Sequence, residues 1–214
     1  MKRMRTKSLI AIMLTAVMFV LGACGKFDCG AYVKACLDSQ FKGEYEEYVK
    51  LTKSTKEEAE KLYNDGLDSF MAEYEALSLS DDIKGKLRQA YADLLKSAKY
   101  AVKEKKEEGK TTIVVVEIEP MTCFETYEED LTEIQSQYLA DLQAKVDAGE
   151  EVPDQATMME QMAQLIYDDL VARVSTIEYG EKITMDVRVT KGSDNVYTAS
   201  ETDLAAVAEA AFGM

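Results

Sequence analysis

Lys182-Ile183-Thr184-Met185-Asp186-Val187-Arg188-Val189-Thr190 is the stretch that decides the fold. Ile183, Met185, Val187 and Val189 fall on one side of an extended chain. Lys182, Thr184, Asp186, Arg188 and Thr190 fall on the other. Alternation with a period of two predicts a strand with one buried and one wet face. The dry face of such a sheet needs helices to cover it. Gly192, Ser193, Asp194 and Asn195 supply a turn, and Val196 to Ala199 a short partner strand. Ser200-Glu201-Thr202-Asp203 then caps a helix whose stripe is Leu204, Val207, Ala208, Ala211 and Phe212.

Working upstream, Thr111 to Glu119 is a second strand, with Val114, Val116 and Ile118 on one face and Pro120 as its stop. Between the strands lie two helical patterns. Phe124, Tyr127, Leu131, Ile134, Tyr138, Leu142 and Val146 mark the first; Met159, Met162, Ile166, Leu170, Val174 and Ile177 mark the second. Gly149 to Pro153 joins them, so residues 124–177 read as an antiparallel helical hairpin. Residues 29–108 read as helical throughout. Cys29, Val33, Cys36, Leu37 and Phe41 form one stripe, with Gly43 as a break before a short piece from Glu44 to Leu51. Ser54 and Thr55 with Glu57 and Glu58 have capping-box spacing ahead of a longer helix. A further helix carries Ile83, Leu87, Tyr91, Leu94, Leu95, Ala98 and Val102. It dissolves into the charged run 103–108 and ends at Gly109 as a C-terminal glycine. The class expected is α+β: mostly helical, with a small antiparallel sheet of about three strands. Residues 29–214 form a single domain closed by a C-terminal helix over 201–212.

The N-terminus has a different character. Lys2, Arg3, Arg5 and Lys7 precede an uncharged run from Leu9 to Leu21, which small residues follow. That order fits a secretory signal. As a helix the run would span roughly 20 Å, short of the roughly 30 Å hydrocarbon core, so a removed signal is favoured over a retained span. Leu21-Gly22-Ala23-Cys24 resembles a bacterial lipobox. The resemblance implies that signal peptidase II removes residues 1–23 after the Cys24 thiol has been diacylated. Cys24 then becomes the lipidated, palmitate-type N-terminus, and residues 24–28 form a tether.

The chain carries 25 Lys plus Arg against 40 Asp plus Glu, a formal charge of −15. Loss of the four basic residues of the signal takes it to −19. Such a surface repels nucleic acid phosphates and anionic head groups, so nucleic acid is not an expected partner and membrane attachment must come from the lipid. Two acyl chains suffice for stable anchoring where one is marginal. The absence of His removes the usual general base near neutral pH and the commonest transition-metal ligand, and excludes Ser-His-Asp and Cys-His catalysis. No cofactor is implied.

With Cys24 assigned to the anchor, Cys29, Cys36 and Cys123 remain. Cys29 and Cys36 are seven apart on one helix, about 10 Å, too far for a disulfide. Three readings stand for these thiols: small apolar core residues, one bridge from Cys123 to either of the others, or a reactive thiol. The acidic run Glu125, Glu128, Glu129, Asp130 and Glu133 suits a helix start. Met158, Met159 and Met162 share a helical side with Ile166, which is core filling or an apolar groove. No phosphate-cradling Gly-rich loop, nucleophile elbow or C-x-x-C pair occurs.

The segments Phe27-Asp28-Cys29-Gly30-Ala31-Tyr32-Val33-Lys34-Ala35-Cys36-Leu37-Asp38, Lys42-Gly43-Glu44-Tyr45-Glu46-Glu47-Tyr48-Val49 and Thr112 to Pro120, taken with the lipobox, resemble uncharacterised lipoproteins of anaerobic, Gram-positive-type gut bacteria. The resemblance implies a location on the outer face of the cytoplasmic membrane and carries no functional residue beyond Cys24. The function expected is a non-enzymatic, lipid-anchored extracytoplasmic domain that binds a small ligand, a peptide or an envelope partner. The alternatives are a cell-wall hydrolase working through two carboxylates, and a chaperone or sensor-associated lipoprotein with a groove at Met158, Met159 and Met162.

Overall fold

A computed structural model describes residues 20–21, 27–192 and 196–213. Helix α1 (Cys29–Leu37) runs on into a π-helical turn, Asp38–Lys42, and is followed by α2 (Glu46–Thr52), α3 (Lys56–Glu75) and α4 (Asp81–Lys96). Then come strands β1 (Lys99–Glu108) and β2 (Thr111–Glu119), the hairpin α5 (Tyr127–Asp147) and α6 (Gln155–Ser175), strands β3 (Ile183–Lys191) and β4 (Val196–Ala199), and α7 (Glu201–Ala211). The class is α+β, and the sheet is larger than the three strands expected. β1, β2, β3 and β4 lie side by side in that order, each antiparallel to its neighbour. The backbone of Val20–Leu21 adds a short antiparallel rung outside β4, opposite Tyr197 and Val196.

Strand β1 corrects the helical reading of residues 99–108. Its Lys/Glu-rich composition favours a helix in isolation, but pairing with the β-branched run of β2 overrides that weak preference. Gly109, read as a helix end, instead opens a two-residue hairpin turn with φ +64°, a conformation glycine adopts without strain. A β-bulge between Val102 and Glu104 hides the alternation. It keeps Lys103 and Glu104 together on the wet side and sends Lys105 to the helix-covered side. There the Lys105 ammonium lies 2.7 Å from Asp28, which also caps α1 by accepting from the Gly30 and Ala31 amides. The charged side chains suit β1 to its place at the edge of the sheet.

The dry face carries Val114, Val116, Ile118, Val187 and Val189, all at most 1% exposed. Against them pack Val33 and Leu37 of α1, Phe41 of the π turn, and Leu204, Val207, Ala208 and Phe212 at the C-terminal end. The end of α7 is pinned to the segment after β2, where the Met121 amide donates to the Ala211 carbonyl at 2.9 Å. Gly213 lies so close behind that a Cβ there would sit 2.2 Å from the Met121 carbonyl oxygen, at a φ of +65°. Only glycine fits that position.

The helical hairpin hangs on α4 through a second cluster: Met71, Leu79, Ile83, Leu87 and Ala163. Helix α6 supplies the contact. Helix α5 lies outside it and has no fully buried residue, so the stripe expected to run to Val146 ends in solvent, with Val146 52% exposed. Polar contacts tie the pair together. Tyr138 donates to Gln161 at 2.8 Å, and Arg173, steadied by Asp169 on its own helix at 2.7 Å, reaches Asp130 of α5 at 2.5 Å.

Candidate functional site

The stripe Cys29, Val33, Leu37, Phe41 repeats every fourth residue, which overshoots a 3.6-residue turn by about 40° per step. The wider π turn at Asp38–Lys42 reduces that drift and keeps Phe41 in the core, 5.5 Å from Tyr100 and 5.9 Å from Phe212 between ring centroids. Gly43 closes the turn in the left-handed region. Single π turns are rare and concentrate at functional sites.

Asp38 opens this turn and is the one buried charged residue among the described residues, at 8% exposure. Its carboxylate accepts the Tyr100 hydroxyl at 2.8 Å, pairs with Lys34, and lies 3.6 Å from Lys42. A buried carboxylate with two ammonium groups and a phenol is satisfied. Burial, reinforced by the hydrogen bond its hydroxyl donates to the Asp38 carboxylate, pushes the Tyr100 phenol far above its ordinary value. The contact bridges 62 residues and locks the π turn to the edge strand.

Two clefts flank this lock. The first, about 570 Å³, opens between the π turn, α2 and the start of α3. Asp38, Glu44, Glu46, Glu47 and Glu60 line it against a single cation, Lys56, with Tyr45 and Val49 as its apolar side. The second, about 360 Å³, lies on the wet face of the sheet over Ala98 and Ala101. Lys42, Lys99, Lys103 and Lys182 surround Glu117 and Glu119 there. Lys103 and Lys182 each reach Glu117 Oε1 at 3.0 Å, and Lys182 reaches Glu119 at 3.3 Å. The two ammonium groups hold the Glu117 carboxyl below the usual carboxylate range. Lys99 lies 3.5 Å above the Tyr179 ring, a cation–π contact. The first cleft suits a cationic group and the second an anionic one.

Of the residues singled out in the sequence, Gly22, Ala23 and Cys24 lie outside the described residues, as does the Leu21 side chain. Met158, Met159 and Met162 are half-buried on α6, with Met159 packed on the second cluster, and none lines either cleft. Cys29 and Cys36 are buried and Cys123 half-buried, and all three are free thiols. Burial pushes the Cys36 thiol up to about 12, which suits an inert core residue and not a nucleophile. Among the described residues no group of three or more His, Cys, Asp or Glu side chains could hold a metal ion. No helix among them is long and apolar enough to cross a membrane. Sequence reasoning missed Asp38, Lys42 and Tyr100 as a unit. The available signal was an acid set inside the apolar stripe between Leu37 and Phe41.

No protein-family model and no curated protein matches the chain. Among solved structures it is similar to YcdA of Bacillus subtilis, assigned as a lipoprotein, with a TM-score of 0.53 at 13% sequence identity. The match covers 85% of this chain and 56% of that one, so the chain spans little more than half of that structure. At this identity the likeness is one of fold.

Proposed function

We propose that this chain is a lipid-anchored lipoprotein on the extracytoplasmic face of a cell membrane. Cys24 is its diacylated first residue, and its folded domain is a non-enzymatic binding module for a small ligand, a peptide or an envelope partner. The observation that carries the reading is Leu21-Gly22-Ala23-Cys24 at the end of a complete signal. Two further features support it. The fold is similar to that of a protein assigned as a lipoprotein. The folded domain also begins close behind Cys24. Phe27 stacks on Tyr197 with ring centroids 4.4 Å apart, and Asp28 caps α1.

Only Gly25 and Lys26 separate the anchor from Phe27. Three Cα steps reach about 10 Å at most, so the domain sits directly on the bilayer with its Phe27–Tyr197 end nearest the lipid. Cleavage before Cys24 removes the Val20–Leu21 rung and leaves β4 as the sheet's outer strand. Phase partition of the protein purified from bacterial cells tests the proposal. Recovery in the detergent-rich phase is expected, because two acyl chains dominate a polar domain of this charge. Recovery in the aqueous phase with the signal removed would contradict it.

A further inference from the structure

We propose that the lysine cleft on the wet face of the sheet binds a small phosphate-bearing ligand. The inference stands apart from the lipid anchor. Its basis is a local reversal of charge. The chain carries −15, yet on the sheet face of this cleft Lys99, Lys103 and Lys182 stand against Glu117 and Glu119, while Lys42 at its wall is paired with Asp38.

The geometry leaves donors over. Lys103 and Lys182 converge on one oxygen, Glu117 Oε1, at 3.0 Å each. Each ammonium has three N–H donors; Glu117 takes one from each, and Glu119, at 3.3 Å, a second from Lys182. Lys99 has no carboxylate within ion-pairing distance among the described residues; it is held over the Tyr179 ring. Lys42 stands at the near wall, 4.9 Å from the Tyr100 centroid and 3.6 Å from Asp38, its ion-pair partner. The floor is alanine: Ala101 lies opposite Glu117 in the β1–β2 register and leaves space above the sheet.

The bulge is what assembles the site. The extra residue in β1 holds Lys103 on the wet face beside the Lys99 side of the strand, where it meets Lys182 from across the sheet. Lysine supplies compact point charges that bind phosphate without demanding a bidentate plane. The surrounding negative field selects the size of the ligand. A long polyanion would lie across acidic surface within a Debye length of about 10 Å, whereas a single phosphate group fits inside the cleft.

Titration of the detergent-solubilised full-length protein tests this, with amide chemical shifts followed at low ionic strength. The probes are inorganic phosphate and glycerol phosphate. Saturable shifts are expected at residues 99–103, 117–119 and 182. Lys103→Ala combined with Lys182→Ala should weaken binding by at least about tenfold, since each removes a charge-assisted hydrogen bond. Lys50→Ala, at an exposed lysine paired with Glu47 on α2, should leave it unchanged. The wild-type shift map stands whether or not the variants fold as well. Absence of saturation, shifts centred elsewhere, equal affinity in the double variant, or binding only to phosphatidylglycerol vesicles would each overturn the proposal.

Discussion

Cys24→Ala is expected to abolish membrane anchoring of the mature protein. The thiol is the only acceptor for the diacylglyceryl group in the proposed processing, and signal peptidase II acts after that transfer. Without it no lipid-anchored mature form should appear, and the chain should persist as an uncleaved precursor or escape as a released product. The folded domain offers no substitute anchor. No helix among the described residues can cross a membrane, and the processed chain at −19 is repelled by anionic lipid. The loss should be near complete, because binding through two acyl chains far exceeds anything a surface of this charge supplies. Pulse labelling with a fatty acid, followed by fractionation and immunoblotting, reads the result. A Cys24→Ala protein retained in the membrane at normal level with its signal removed would show that the tetrapeptide has another role.

The second large effect is alkaline unfolding. The chain has no His, so little changes in its protonation between about pH 6 and about pH 8. Above that range the interior becomes the weak point. Burial raises the phenols of Tyr32, Tyr48, Tyr91 and Tyr100, the last helped by Asp38, and pushes the Cys36 thiol up to about 12. Each group keeps its proton in the folded state and loses it in the unfolded state near 9 for the thiol and 10 for a phenol. Their contribution is therefore intact below those values and is lost as pH rises through them toward the folded-state values. At about pH 11 all five groups oppose the folded state together, and stability falls steeply there. Melting temperature should be flat from about pH 6 to about 8 and collapse by about pH 11, with tyrosinate absorbance rising at the unfolding transition. Tyrosinate formation at Tyr32, Tyr48, Tyr91 or Tyr100 in a still-folded protein, read residue by residue from ring chemical shifts, would contradict the burial of these rings. The acid limb has the opposite sign. Asp28, beside Lys105, and Asp203, beside Arg188, are held below the usual carboxylate range, so their contribution is present above that range and lost as pH falls through their folded values.

What the sequence made legible follows from how local the signals are. The alternation of Ile183 to Val189 and of Val114 to Ile118 is written in consecutive residues, and both segments are strands; Val187 and Val189 are buried as expected, while Ile183, at the start of its strand, is 40% exposed. The Thr55–Glu58 capping box is equally local, and it forms. Strand β1 was not legible. Its helix-favouring lysines and glutamates, together with the bulge at Lys103, erase the period of two, and only pairing with β2 selects the extended form. The π turn leaves a trace, the fourfold spacing from Cys29 to Phe41, that reads equally well as an ordinary helix. The clefts lie further from reach. Asp38 meets Tyr100, and Lys182 meets Glu117 and Lys103, only after the sheet has brought distant segments together. Lys103 in particular read as part of a solvated run. The methionines of α6 were conspicuous because they are adjacent in sequence, and they lie away from both clefts.

The covalent state of the N-terminus tests most directly whether this domain stands on a membrane through Cys24. Mass spectrometry of the N-terminal proteolytic peptide from the membrane-purified protein is the measurement. A peptide that begins at Cys24 and carries the added mass of a diacylglyceryl group is expected, with no peptide from the preceding residues. A peptide that begins elsewhere, or that begins at Cys24 with an unmodified thiol, would contradict it.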